Sequence, residues 1–451
     1  MHFYHVIPVG NFARGYDKYA RAYRKSLISE SRYPNEFYLV REEDIHLAAE
    51  KARGLDLRLG GPRHGGLLLL ETQVAEWDTR PHPRGGFGVV YPRSEVPLTC
   101  VRRITEDGRA GEVVSVEDAM AWSLSEHDLK PFDLLRPRSI SFLPVARGCQ
   151  ARCGFCFSEA SVSADQKGGP LDFDRARAWL QEAKRRRASR AVITGGGEPT
   201  LLREADLLRL VRLCRDHFDK VVLITNGHAL VHGRTPAETH ASVGALHGAG
   251  LTVLSVSRHH WLDVKCAAMM SLDTQGEELL HRVGDVRRAL PGLTVRLVCV
   301  LQRGGVETVG DVNAYLRWAA EHRRADEVCF KELYVSTSVE SVYHDRRTNE
   351  FSRDHQVPIS VVTQWAEALG LEPETRLPWG APVYQTALGE TTRGRALRVA
   401  AYTEPSLYWE RTSGIARSWN VMADGTCLAS LEDRASVLLS PGVLAAPEVT
   451  S

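Results

Sequence analysis

Cys149, Cys153 and Cys156 crowd into eight residues at C-x3-C-x2-C spacing, whereas the other six cysteines, Cys100, Cys214, Cys266, Cys299, Cys329 and Cys427, stand alone. Thiolates are soft, anionic ligands that match iron and the delocalised charge of an iron–sulfur cluster. A [4Fe-4S] cube normally takes four of them. Only three are supplied locally, so one iron is left open to a group that is not protein. A structural zinc site on the same thiols needs a second C-x2-C or a pair of histidines at suitable spacing. No such half-site follows within the next fifty residues. Nine cysteines, an odd number unevenly spread, also argue against a disulfide framework.

A second motif, Thr194-Gly-Gly-Gly-Glu-Pro-Thr200, follows roughly forty residues later, where an expected strand gives way to a helix. Glycines let the backbone approach a ligand with no Cβ between them, and Glu198 can accept a hydrogen bond from an ammonium group. Alone, such a run reads equally well as an ordinary strand-to-helix connection. Together with the cysteines, whose C-x3-C-x-aromatic-C pattern has Phe155 in the aromatic place, it resembles the radical S-adenosylmethionine (SAM) superfamily. The resemblance implies one [4Fe-4S] cluster on the three cysteines, with the open iron chelated by the amino and carboxylate groups of SAM. It implies cleavage of SAM to methionine and a 5′-deoxyadenosyl radical that takes a hydrogen atom from substrate. It also implies that Gly196, Gly197, Glu198 and Pro199 hold the amino group of SAM, and that an electron donor such as flavodoxin or ferredoxin serves the cluster.

Other expected strand ends carry softer candidates. Asn226, in Thr225-Asn226-Gly227, is a candidate SAM contact or part of a plain polar turn. In Ser255-Val-Ser-Arg-His-His-Trp261 the resemblance makes Ser257 and Arg258 candidates for the ribose or carboxylate of SAM. His259 and His260 are catalytic candidates, as proton donors or as holders of a substrate anion, with two merely hydrated histidines as the alternative. Glu332, beside Lys331, lies near the carboxyl end of a strand, the side on which barrel folds place their chemistry. It is a third catalytic candidate, or half of a surface salt bridge. Cys299 and Cys329 read as core thiols. Asn420 to Cys427 bears a faint likeness to the cysteine-rich extensions of peptide-modifying relatives, yet Cys427 has no partner cysteine within ninety residues.

Short β-branched runs alternate with amphipathic stretches from Ser139 to Tyr334, the order expected of βα units around a parallel sheet. Six strands are expected, at Ser139 to Val145, Arg190 to Thr194, Lys220 to Thr225, Leu251 to Ser257, Thr294 to Leu301 and Glu327 to Tyr334. Helices are expected at Phe173 to Arg187, Glu204 to Phe218, Glu277 to Leu290, Val309 to His322 and Ile359 to Leu369, with Asp172 as an N-cap. The fold class is α/β: a partial (β/α)6 barrel over 138–335, an α+β accessory domain over 1–137, and a small extension or cap over 336–451. Within the last, Ser336 to His355 reads as a polar loop, and the final ten or so residues read as frayed.

With 43% hydrophobic residues the chain can fill real cores, and 57 basic against 56 acidic residues give a net charge of +1. That balance provides no field for nucleic acid or an anionic membrane. Apolar runs such as Leu67 to Leu70 are far too short to span a bilayer, and Met1 to Asn11 lacks the order of a secretory signal, so a cytoplasmic enzyme is expected. The expected substrate is a small polar metabolite, such as a nucleotide, sugar or amino-acid derivative. A ribosomally made precursor peptide is the alternative, and a non-enzymatic iron–sulfur sensor the third reading.

Overall fold

The β-branched runs form a parallel sheet. The structure, a computed structural model, describes residues 2–17, 22–24, 37–58, 66–81, 87–93, 95–125, 129–146, 148–156, 171–274, 276–321, 325–335, 346–390, 396–405 and 407–441. Strands β1 (Ile140–Leu143), β2 (Ala191–Ile193), β3 (Val221–Thr225), β4 (Val253–Ser257), β5 (Thr294–Leu301) and β6 (Glu327–Glu332) pair in that order, all parallel. Both faces of such a sheet are covered, which is why its strands read as nearly unbroken apolar runs.

The parallel series does not end at six strands. β7 (Ala396–Tyr402) lies parallel to β6, and β8 (Trp419–Met422) lies parallel to β1. Residues 336–451 therefore build into both sides of the sheet instead of capping it. Antiparallel strands Pro382–Glu390 and Cys427–Leu428 extend it beyond β7 and β8. The ends of the parallel series are joined by side chains. Glu404, just after β7, pairs with Lys331 of β6 at 3.0 Å and with Arg417, just before β8. The guanidinium of Arg138 lies 5.2 Å from the ring centre of Trp379, and the Oγ atoms of Ser141 and Ser418 are 2.7 Å apart.

Helices cover the outer face: α1 (Phe173–Arg185), α2 (Glu204–Arg215), α3 (Pro236–Gly248), α4 (Asp263–Met270), α5 (Gly276–Ala289), α6 (Val309–Ala320), α7 (Arg347–His355) and α8 (Ser360–Ala368). Asp172 caps α1 by accepting from the backbone of Asp174 and Arg175. Alternation divides each strand: Leu223, Leu254, Val256 and Phe330 pack into the core beneath the helices, while their neighbours face the interior of the barrel. Part of the expected Ser336 to His355 loop is helical, since α7 is held by an i,i+4 stack of Phe351 on His355 with ring centres 3.9 Å apart. Residues 336–345, the terminal 442–451 and His322 lie outside the described residues.

Two compact units divide the chain, Met1–Leu129 and Lys130–Ser451. The division falls earlier than the expected 137/138 because Arg136–Pro137 pairs with Ile415–Ala416 and the Lys130 amide donates to the Arg411 carbonyl. The first unit holds an antiparallel sheet in the order His2–Pro8, Leu67–Gln73, Cys100–Ile104, Ala110–Val113, with Phe3, Ile7, Leu68, Leu70 and Val101 in its core. Helix Ile45–Arg58 packs on it, giving an α+β unit. No helix among the described residues is long and apolar enough to cross a membrane.

Candidate active site

The loop leaving β1 carries all three clustered cysteines to the carboxyl ends of the strands. There Cys149, Cys153, Cys156 and Phe155 line one cavity of about 730 Å³. Backbone bonds shape the loop: the Arg152 amide in its middle donates to the Met270 carbonyl at the end of α4, and the Cys156 amide closes a turn on the Cys153 carbonyl. The Phe351 ring of α7 covers Gly154 so closely that a Cβ there would lie 3.0 Å from it. The Phe155 ring meets the His259 ring edge-on at 5.0 Å. Burial and then the neighbouring Cys156 and Cys149 push the Cys153 thiol up to about 12, and burial also raises Cys149. Thiols raised as Cys149 and Cys153 are give up their protons readily only to a cationic centre, which suits a cluster. No set of three or more His, Cys, Asp or Glu among the described residues is arranged to grip one metal ion. A cube, with more widely spaced corners than the ligands of a single ion, makes a different demand on the same three sulfurs.

The glycine run after β2 clasps this loop. Gly196 has φ +111°, a conformation natural only to glycine, and a Cβ on Gly197 would stand 2.2 Å from the carbonyl oxygen of Gly148. That contact allows the Glu198 amide to donate to the same carbonyl at 2.9 Å, one residue before Cys149. The Glu198 carboxylate is also engaged. Its Oε1 accepts from the Thr200 amide, the Thr200 hydroxyl and the Thr225 hydroxyl, and its Oε2 from the Asn226 amide at 2.9 Å. A single donor on Oε2 leaves room there for an ammonium group. Pro199 opens a short 3-10 turn behind it. Asn226 then reaches back, its Nδ2 standing 3.5 Å from Cys149 Sγ and 3.2 Å from Gln150 Oε1.

The sequence around the end of β4 splits by alternation. Ser257 and His259 face the cavity, whereas Arg258 and His260, read from sequence as SAM-binding and catalytic candidates, do not line it. Arg258 is a buried hub: its guanidinium donates to Asp263, Thr274 and the Trp261 carbonyl. His260 stacks on Trp261, and its Nδ1 accepts from the Leu262 amide. His259 accepts from the Val300 amide at Nδ1, and burial holds it down at about 3, so it is neutral with its proton on Nε2. The same alternation corrects Cys329, which faces the cavity, while Cys299 is buried as expected.

Glu332 lines the cavity and accepts from the Ile359 amide, tying the start of α8 to β6. Beside it Lys331, lowered to about 8 by burial and then by Arg417, meets Glu404, whose Oε2 also accepts from the Tyr402 hydroxyl. Tyr402, Glu404 and Arg417 went unnoticed in the sequence because they reach the cavity only through β7 and β8. The period-two run Ala396 to Tyr402 was the available signal.

Glu410, also in the cavity wall, is pushed up to about 8 from 4.5 by burial, against hydrogen bonds from the Arg417 amide and Ser430. The folded chain therefore binds this proton more tightly than the unfolded chain. The cost of burying the charge is absent below pH 4.5 and grows until about pH 8. Glu410→Gln keeps an acceptor for Arg417, so its melting temperature should exceed that of the parent by a margin that widens between pH 5.5 and pH 8. A margin independent of pH would refute this reading of Glu410.

Residues 143–301 match the family model of the Radical SAM superfamily. The chain thus carries a radical SAM domain over these residues, the domain of a superfamily whose enzymes use a [4Fe-4S] cluster and SAM. Among solved structures it is similar to anSMEcpe with bound AdoMet (16% identity, TM-score 0.35, 52% of this chain and 57% of that one). It is similar also to coproporphyrinogen III oxidase (HemN) from Escherichia coli, with 13% identity, TM-score 0.36, and 56% of each chain covered. A radical SAM methyltransferase from Sphaerobacter thermophilus aligns with 17% identity and TM-score 0.33, over 51% of this chain and 63% of that one. The alignments span less than two thirds of each of those proteins, and likenesses this distant say nothing of a substrate. No curated protein matches the chain.

Proposed function

We propose that Cys149, Cys153 and Cys156 hold the cluster, that SAM lies against Gly196, Gly197, Glu198, Pro199, Asn226 and Ser257, and that a small polar metabolite fills the rest of the lumen. When bound, the cluster and SAM together supply a 5′-deoxyadenosyl radical for hydrogen abstraction. The observation that carries this reading is the clasp, in which Gly197 packs on Gly148 while Glu198 and Asn226 are bonded directly to the cysteine loop. An amino group near Gly196 and Gly197 would find backbone carbonyls and the spare side of Glu198 Oε2. The neutral His259 would offer an Nε2–H donor, and Glu332 and Lys331 a carboxylate and an ammonium, to whatever occupies the space below. A lumen of about 730 Å³ is of the size that small ligands use.

The test is direct. Anaerobically reconstituted protein given dithionite and SAM should release 5′-deoxyadenosine and hold about four irons per chain. No 5′-deoxyadenosine would sink the reading, and about eight irons per chain would favour a peptide-modifying enzyme with a second cluster.

A further inference from the structure

Opposite the cysteines, at the amino-terminal ends of the strands, Arg138, Arg190, Lys220, Arg296 and Arg398 face the same lumen around the single carboxylate of Glu327. The register sets Arg190 beside Lys220, because Ala191 pairs with Val221, and sets Glu327 between Arg296 and Arg398. Glu327 serves Arg296 at 2.5 and 2.8 Å and Arg398 at 3.4 Å, and Arg398 also reaches Glu374. Among the described residues the Arg138 guanidinium has only the Trp379 face. Among the described residues the side chains of Arg190 and Lys220 make no hydrogen bond or ion pair. Burial lowers both, Arg190 to about 10, and Arg138 and Arg296 lower Arg190 further. A ring built only to hold strands together would pair its cations, whereas this one turns three of them toward the lumen.

We propose that this ring binds the dianionic end of the substrate, a group of the phosphate-monoester class, while the reacting end lies near the cysteine loop. The inference rests on the reading that the lumen is the substrate site. Charge selects the class: with Arg296 on Glu327 and Arg398 on Glu374, Arg138, Arg190 and Lys220 are left uncompensated. A monoester dianion neutralises most of that charge, and its oxygens suit two guanidinium forks better than a lone carboxylate does. Between ring and mouth runs an apolar waist of Val192, Val222, Val298 and Ala400. Four residues of strand, from Glu327 to Lys331, separate the two levels by about 13 Å. The ligand is thus elongated, charged at one end and largely apolar in the middle.

The probes are inorganic phosphate and n-butyl phosphate, titrated calorimetrically into the reconstituted holoenzyme. n-Butyl phosphate should bind roughly tenfold or more tightly than inorganic phosphate, because its chain covers the waist. Arg190→Gln/Lys220→Gln should weaken both by roughly tenfold or more. In phosphate-free buffer this variant should melt no lower than the parent, since it removes mutual repulsion. Equal affinity for the two probes, unchanged affinity in the variant, or a lowered melting temperature without phosphate would each overturn the proposal. Release of 5′-deoxyadenosine with no phosphate binding would remove this inference alone, and absence of 5′-deoxyadenosine would remove the parent reading with it.

Discussion

Gly197→Ala is expected to leave the protein folded but unable to hold a full cluster. A Cβ at this position would lie 2.2 Å from Gly148 O, 3.1 Å from Gly148 C and 2.9 Å from Val145 Cγ1. The first two are backbone atoms, so no rotamer change relieves the contact and the two loops must part. Parting them breaks the Glu198 amide bond to Gly148 and shifts Cys149, the next residue. Overpacking of this kind costs about 1–3 kcal/mol, too little to unfold a typical domain but enough to dislocate a loop. Iron per chain and the visible absorbance of the cluster should fall by half or more after reconstitution, and 5′-deoxyadenosine release should fall further. Gly244→Ala is the control, because nothing stands within 4 Å of a Cβ on that helical glycine. It should be neutral or stabilise slightly, by about 0.5–1 kcal/mol. If Gly197→Ala loads iron like Gly244→Ala, the clasp does not position the cysteines.

The parts of this site that were legible in the sequence are those encoded within a few residues. Cysteine spacing, the glycine run and the period of the strands are local, and Thr294 to Leu301 matches its observed strand at both ends. Helix α3 was overlooked because its apolar residues are mostly alanines and show no helical period, although Thr235-Pro236-Ala237-Glu238 carries a capping box that marks its start. Which neighbour faces the lumen is decided by the twofold period of a strand, and so requires its phase. Fixing β4 by Leu254 and Val256 in the core sends Ser257 and His259 inward and Arg258 outward. Charged residues at strand starts, such as Arg190 and Lys220, look like ordinary solvated ends in a linear reading. Only the pairing of neighbouring strands brings them together. β7 and β8 were hidden for the same reason, since their partners β6 and β1 lie far away in sequence.

Cys153→Ala is expected to separate the fold from the cluster completely. The Cys153 thiol lies 4.0 Å from the Met270 carbonyl, at the limit of any hydrogen bond, and its side chain is only partly buried. Its loss should therefore change the stability of the cluster-free protein by no more than about 1 kcal/mol. In the reconstituted protein the effect is of another order, because a cube held at two corners has no third anchor and two irons lie open instead of one. Iron should drop from about four to well under one per chain, and 5′-deoxyadenosine release should fall to background. Cys427→Ala supplies the contrast. That thiol is buried against the β1 side of the sheet, pushed above its ordinary value by burial, and does not line the cavity that holds the cysteine loop. Its removal should lower the melting temperature slightly, through a small cavity, and leave iron content and SAM cleavage at the level of the parent. The opposite pattern, with iron retained without Cys153 and lost without Cys427, would move the cluster out of the lumen and take the proposed SAM and substrate positions with it.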